Sequence, residues 1–379
     1  MITQTPQKIQ MVDLHGQYLE IKEEIDYSMA QVIQNCSFVG GAAVQNFCHE
    51  LGAYLGVKHV TGCGNGTDAL VIALMALNLQ PGDEVITASH TFVATAEAIA
   101  LRGLTPVFVD IDPNTYTIDV SAAEHAITRR TRCIMPVHLY GQSANMEPLM
   151  QLAQKHNLFI IEDNAQAIGA DYRFTNGKTQ KTGSIGHIGC TSFYPSKNLG
   201  CYGDGGAVFT NNNELGEKIR LIANHGQRTK YDSTMIGVNS RLDALQAVVL
   251  SAKLKHLDHY NNRRRKAALF YDQAFAPYPH IITPYRAPYS THVFHQYTLR
   301  VPAGRDHLKD ALQERGIPTM IYYPIPIHRQ QAYLDYGYTQ GSLPITEQMA
   351  EQVISLPIHT QMTEEELQYI TQTVIELLA

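Results

Sequence analysis

The stretch HVTGCGNGTDALVIALMAL, from His59 to Leu77, decides the fold. Its first five residues, His59–Cys63, form a short strand-like run. A glycine-rich turn follows, and apolar residues then recur at helical spacing over Thr67–Leu77. The same strand–turn–helix unit repeats downstream. Glu84–Thr87 leads to a helical pattern near Val93–Leu101, and strand-like runs follow at Pro106–Ile111, Arg132–His138 and Leu158–Glu162, with helical patterns near Ser121–Ile127 and Met146–His156 between them. Strands alternating with helices predict an α/β fold built on a mostly parallel sheet with helices on both faces. Such sheets bind ligands beyond the carboxyl ends of their strands, so residues just after strands are the candidates for chemistry.

Upstream of this unit, Gly16–Asn35 and Ala43–Leu55 carry helical periodicity. Downstream, Ala170–Asn211 reads as short strands with glycine-rich turns, followed by helices near Glu214–Asn224 and Arg241–Leu257. The polar run Tyr260–Arg265 is a helix continuation or a domain hinge. Beyond it come a strand at His295–Arg300, a helix at His307–Glu314 and a strand at Thr319–Ile321. The predicted organisation is a large domain over 1–260, N-terminal helices included, and a smaller C-terminal α+β domain over 261–379.

Composition excludes several classes. The 379 residues are 44% apolar and 17% charged, which is ordinary for a folded protein. A net charge of −6 gives no footprint for nucleic acid. The longest apolar run, Ala69–Leu77, is far short of the roughly 20 residues that cross a bilayer. The start MITQTPQKIQ has no export signature. Six scattered cysteines without a Cys-x-x-Cys pair fit reduced thiols and a cytoplasmic location. His292 and His295 are spaced H-x-x-H, but on a strand that spacing points to opposite faces, so no metal is expected.

Three loops carry the chemistry. Gly62–Asp68 reads as a phosphate cradle at a helix start, or as a plain turn capped by Thr67 or Asp68; it is neither a nucleoside-triphosphate P-loop nor a dinucleotide fingerprint. In Phe159–Gln166, an acid ends a buried strand, either as a cap or as the partner of a cationic ring nitrogen. In CTSFYPSKNLGCYGDGGAVFTNN, Cys190–Asn212, Lys197 follows an apolar strand and precedes a glycine-rich loop. It is a surface charge, or a partly desolvated amine made nucleophilic by a lowered pKa. Together the loops supply an anion site, a pyridinium partner and a Schiff-base amine, the parts a pyridoxal phosphate enzyme needs.

The motifs GNGTDAL, GDEVIT, HTFVATAEAI, PVFVDID, VHLYGQ, IEDNAQAIGA, SFYPSKNLG, NSRLDALQA and YYPIPIH, after MVDLHGQY at Met11–Tyr18, resemble the DegT/DnrJ/EryC1/StrS family of sugar aminotransferases over nearly the whole chain. The resemblance implies the type I aminotransferase fold and pyridoxal 5′-phosphate as cofactor. It implies that Lys197 is the Schiff-base lysine, that Asp163 pairs with the pyridinium nitrogen, and that Gln166 reaches the ring hydroxyl. Gly66, Thr67 and Ser192 would hold the phosphate and Phe92 would stack on the ring. Asn239 would reach the cofactor of the neighbouring subunit, making a homodimer with shared active sites. Tyr194, Arg241, Tyr322, Tyr323 and His328 would border the substrate. The implied reaction moves the amino group of glutamate to a nucleotide-linked 3-keto sugar. UDP-2-acetamido-2-deoxy-3-oxo-glucuronate is the foremost substrate, for surface polysaccharide such as lipopolysaccharide O-antigen, with Arg241 on its carboxylate. Tyr322 stands where that subgroup has histidine, which leaves a dTDP-3-oxo-6-deoxyhexose as the runner-up and a 4-keto sugar behind it. The family also holds a dehydratase with histidine in place of the lysine, against which Lys197 argues, and members first labelled as regulators, which keeps a non-catalytic regulator as an alternative.

Overall fold

The computed structural model describes residues 9–378. The first eight residues of the stretch read for an export signal, and positions 1 and 379 of the two domain ranges, lie outside the described residues. Helices α1 (Leu14–Glu20), α2 (Lys22–Gln34) and α3 (Gly41–Leu55) lead into β1 (His59–Cys63) and α4 (Gly66–Ala76). Then follow β2 (Glu84–Ala88), α5 (Ala94–Leu101), β3 (Thr105–Val109), α6 (Val120–His125), β4 (Thr131–Ile134), α7 (Met146–His156) and β5 (Phe159–Asp163). The short pair β6 (Asp171–Arg173) and β7 (Thr179–Lys181) precedes β8 (Ile188–Ser192), β9 (Gly206–Thr210) and α8 (Asn213–Ile222). A hairpin of β10 (Gln227–Thr229) and β11 (Asp232–Ser233) comes before α9 (Ala244–Leu254) and α10 (Leu257–Phe275). The chain ends through β12 (Tyr297–Arg300), α11 (Arg305–Glu314), α12 (Pro344–Gln352), β13 (Val353–Leu356) and α13 (Glu364–Leu378).

The central sheet has seven strands in the order β1-β9-β8-β5-β4-β2-β3. Every pairing is parallel except those of β9, which runs against both β8 and β1. Successive side chains on each strand go to opposite faces and feed two cores. Val85, Cys133 and Ile161 join α4 and α8 in one, and their neighbours Ile86, Ile134 and Ile160 join α7 in the other. A third core begins within α10 at Ala267 and takes in β12, β13, α11 and α13. The position 260/261 falls inside α10, which runs unbroken.

Several elements differ from the sequence expectation for identifiable reasons. The single helix expected over Gly16–Asn35 is two, because Ile21 leaves helical geometry (φ −125°, ψ 23°). The run Arg132–His138 is a continuous strand only to Ile134; Pro136 has no N–H for the ladder, and beyond it Val137 makes an isolated parallel bridge to Asp163. The polar run after Tyr260 continues a helix, with Tyr260, Asn261 and Arg264 buried on one face. Strand β12 starts at Tyr297, so His292 and His295 sit in the loop before it, where His292 Nδ1 accepts from the Phe294 N–H (2.9 Å). Residues Thr319–Ile321 make one isolated bridge, Met320 to Ser355, rather than a strand. The strands β8 and β9, read as part of a separate rhythm, return to the central sheet. Among the described residues no helix is long and apolar enough to cross a membrane.

Candidate active site

Four parallel strands, β1, β2, β5 and β8, deliver their following residues to one edge of the sheet. Asp163 is the last residue of β5 and is only 6% exposed. Its Oδ2 accepts from Thr95 Oγ1 (2.9 Å) and its Oδ1 from the Ala165 N–H (3.2 Å). Burial raises its pKa; those two hydrogen bonds and the nearby Lys197 charge pull it back down. The strand end is braced from behind. The Glu162 carboxylate accepts from the backbone N–H groups of Gly183, Ile185 and Gly186 and from His138 Nε2 (2.8 Å). His138 Nδ1 accepts from the Ala144 N–H, which places the ring proton on Nε2, and the His138 N–H binds the Asp163 carbonyl (3.0 Å).

Lys197 lies in the loop after β8, where its N–H bonds the Tyr194 carbonyl (2.8 Å). Burial pushes its amine down to about 8, opposed by the Asp163 charge. A partly neutral amine within charge range of a buried carboxylate is suited to nucleophilic and proton-transfer work.

The Gly62–Asp68 turn opens α4, and its cap is Asn65, not Thr67 or Asp68 as the plain-turn reading had it. Asn65 Oδ1 accepts from the Asp68 N–H (2.8 Å) and its carbonyl from the Ala69 N–H (3.1 Å). The N–H groups of Gly66 and Thr67 are thereby left at the positive end of the helix. A Cβ on Gly66 would lie 2.6 Å from Ser192 Cβ, so only glycine lets the helix start close on the end of β8. Gly66 and Ser192 are therefore in close contact, with Thr67 next in the chain.

The third wall comes from β2 and its loop. Phe92 is 54% exposed and its ring centre lies 6.0 Å from that of Tyr323. Tyr323 is tied inward: Gln166 Nε2 donates to Tyr323 Oη (3.0 Å), while Gln166 Oε1 accepts from the Tyr140 N–H (2.7 Å). Tyr140 Oη in turn donates to the Tyr322 carbonyl and receives from His90 Nε2 (3.0 Å). Tyr194 is exposed on the same side of the molecule, close enough to Tyr322 to affect its ionisation.

Two expectations fare differently. His328 was expected at the substrate, but it is fully buried. Its Nδ1 bonds Ser89 Oγ (2.8 Å) and its Nε2 bonds Glu347 (3.1 Å), so both ring nitrogens are used within the protein. In this structure it braces the 325–328 segment and touches no open surface. Asn239 and Arg241 are exposed and flank Ser240, which is fixed to the anion turn through Asp68 (2.6 Å) and the Gly64 N–H (2.9 Å). Arg241 has one long contact, to Asn224 Oδ1 (3.4 Å).

Sequence reasoning missed Thr95, His90, Tyr140 and Ser240. Thr95 left a signal, a hydroxyl on an otherwise apolar helix face within HTFVATAEAI. The others become visible only when distant strands are brought together.

The donor set fits pyridoxal phosphate: a buried carboxylate for a ring cation, a glycine-made anion corner and a lysine of lowered proton affinity. Comparisons with known proteins agree. A "Pleiotropic regulatory protein" of Geobacillus stearothermophilus is 46% identical over 370 residues, covering 97% of this chain and 98% of that protein. A UDP-N-acetyl-3-dehydro-alpha-D-glucosamine 3-aminotransferase of Acidithiobacillus ferrooxidans is 45% identical over 366 residues, 97% of each chain. The crystal structure of DesV of S. venezuelae, in complex with a ketimine intermediate, superposes with a TM-score of 0.95 at 42% identity, covering 98% of this chain and 99% of that one. With residues 19–375 matched by that family's model as well, the chain belongs to the DegT/DnrJ/EryC1/StrS aminotransferase family and is a pyridoxal 5′-phosphate-dependent aminotransferase.

Proposed function

We propose that this aminotransferase moves the amino group of glutamate to C3 of a UDP-linked 2-acetamido-2-deoxy-3-oxo sugar, with the 3-oxo-glucuronate as its preferred form, in the cytoplasmic synthesis of a surface polysaccharide. The observation that carries the chemistry is Lys197, with its lowered proton affinity, near enough to buried Asp163 for their charges to interact. When bound, pyridoxal phosphate supplies an electrophilic carbonyl and a ring that takes up an electron pair. Gly66 and Thr67, through their N–H groups, and Ser192, through its hydroxyl, would hold the phosphate. Phe92 would cover one ring face. Gln166 keeps one Nε2 hydrogen beyond its bond to Tyr323 and would offer it to the ring hydroxyl. Asp163, whose carboxylate accepts from Thr95 and from the Ala165 N–H, would hold the ring nitrogen protonated. Lys197 Nζ would take the proton from the donor α-carbon and later deliver one to C3 of the acceptor sugar.

The 45% identical relative named for a UDP-linked 3-dehydro amino sugar supports C3 and UDP. Arg241, exposed and weakly held, is free to pair with a C6 carboxylate, which a guanidinium binds well. Tyr322, in the histidine position, favours a second reading, a dTDP-linked 3-oxo-6-deoxyhexose. Tyr194, Tyr322 and Tyr323 would border either sugar. We further propose a homodimer. The β10–β11 hairpin and the loop after it expose Tyr231 (85%) and Ile236 (87%) just before Asn239, an apolar face suited to a second copy that Asn239 would reach across.

The test supplies each ketone with glutamate and compares kcat/KM. If Arg241 reads a carboxylate, the uronate should lead by at least about tenfold, since a charge-assisted bond is worth roughly 1.5–3 kcal/mol. Arg241→Ala should abolish the preference. A faster reaction with the deoxyhexose or with a 4-keto sugar overturns the assignment. A cofactor absorbance band that does not respond to glutamate would instead favour a regulator.

A further inference from the structure

Lys253 is a buried lysine with no carboxylate partner among the described residues. It sits in α9 and is 1% exposed. Its Nζ donates to the Gly200 carbonyl (2.8 Å) and lies 4.5 Å from the centre of the Tyr202 ring. Burial pushes its pKa down to about 8, opposed by the nearby Cys201 thiol. A desolvated ammonium without a counter-ion is unfavourable, and an apolar side chain of the same length would avoid that penalty. Its place in the fold points to what it is for.

Gln246 stands seven residues earlier on the same face of α9. It grips the Tyr202 backbone at both ends: Oε1 accepts from the Tyr202 N–H (2.8 Å) and Nε2 donates to its carbonyl (3.3 Å). Gly200, Cys201 and Tyr202 form the returning half of the loop that carries Lys197. That loop is closed on itself. A Cβ on Gly200 would lie 2.3 Å from the Pro195 carbonyl oxygen, and the Cys201 N–H bonds the Phe193 carbonyl (2.8 Å). A shift at Gly200 is therefore passed to Pro195, two residues before Lys197.

We propose that Lys253, together with Gln246, is a positioning residue for Lys197, acting by clamping Gly200–Tyr202 so that the Lys197 amine is held in its working orientation. This rests on the reading of Lys197 as the nucleophile and base. The clamp also reaches outward. The Tyr202 ring meets Tyr18 of α1 edge-on (6.1 Å), so the N-terminal helices bear on the same loop.

The experiment uses Lys253→Met in the full-length enzyme. Methionine keeps the volume and removes the buried charge, so the melting temperature is expected to stay near the parent value. Misplacing a catalytic group by an ångström is worth up to about a hundredfold, so kcat should fall at least about tenfold with KM for the sugar little changed. The pH midpoint of the cofactor absorbance band should move. In the cofactor-free protein the Cys201 amide should exchange hydrogen faster, a readout independent of turnover. A folded Lys253→Met enzyme with parental kcat, pH midpoint and amide exchange overturns the proposal. If Lys253→Met does not fold, Gln246→Leu takes the same three measurements, and parental values there overturn it equally. Lys197→Ala is run alongside. Retained turnover in that variant would end the reading of Lys197 itself, whereas an inactive Lys197→Ala beside a parental Lys253→Met ends only the clamp.

Discussion

At neutral pH an ordinary lysine amine is almost wholly protonated; Lys197, lowered from 10.5 to about 8 by burial, keeps a usable neutral fraction. That lowering has a sign in stability. The unfolded chain holds the proton up to about 10.5, while the folded protein releases it near 8, so between those values the unfolded state binds more protons. The penalty is full below about 8 and is relieved as pH rises, so the cofactor-free protein should gain stability from pH 8 toward 10. Melting curves of cofactor-free Lys197→Met against pH should show a flatter rise than the parent; an identical slope would mean that the lysine is not desolvated. Lys197→Ala should reduce transamination by at least about a thousandfold without a large change in melting temperature, because both bond formation and proton transfer use this amine. Asp163→Asn should be nearly as damaging, since an amide cannot stabilise ring protonation. Activity within a few-fold of the parent would reduce Asp163 to a cap. Thr95→Val tests the support of that charge: losing a hydrogen bond to a carboxylate, roughly 1.5–3 kcal/mol, should lower kcat about tenfold or more, and an unchanged kcat would show that the Ala165 N–H suffices.

Among the elements, the start of α4 is tightly constrained. Gly66→Ala places a methyl 2.6 Å from Ser192 Cβ, so either the helix start or the end of β8 must move, at about 1–3 kcal/mol. Affinity for pyridoxal phosphate should drop at least about tenfold, read by equilibrium dialysis. A Gly66→Ala protein that binds the cofactor as tightly as the parent would place the phosphate elsewhere. The strand–turn–helix course of this loop was legible in the sequence because the apolar spacing changes from strand to helix across it. That Asp163 ends a buried strand and that Lys197 comes soon after one was legible too. The cap at Asn65 was misread because Asn65, Thr67 and Asp68 could each serve, and only the backbone shows which one does. The burial of His328 was not legible, because its partners Ser89 and Glu347 come from remote parts of the chain. The antiparallel course of β9 was hidden too, since a fully buried strand reads the same in both directions.

At the scale of the molecule, the site is open toward the exposed Phe92 and Tyr194, and the segment holding Asn239 is pinned beside the anion turn by Ser240. Asn239 has its side chain exposed, and the apolar residues that precede it, Tyr231 and Ile236, face solvent in the single chain. A second copy covering that face would bring a residue of one chain to the cofactor of the other. Subunit mixing tests this. Lys197→Ala chains and chains with an inactivating Asn239 substitution are each inactive alone. In a mixed dimer, if Asn239 acts across the interface, one site combines the Lys197→Ala lesion with the Asn239 lesion and the other carries neither. Up to about a quarter of parental activity per active site should then return at equal mixing, since half of the dimers are mixed and half of their sites are intact. If Asn239 acts within its own chain, every site carries one lesion or the other, and no activity should return after subunit exchange is confirmed with tagged chains.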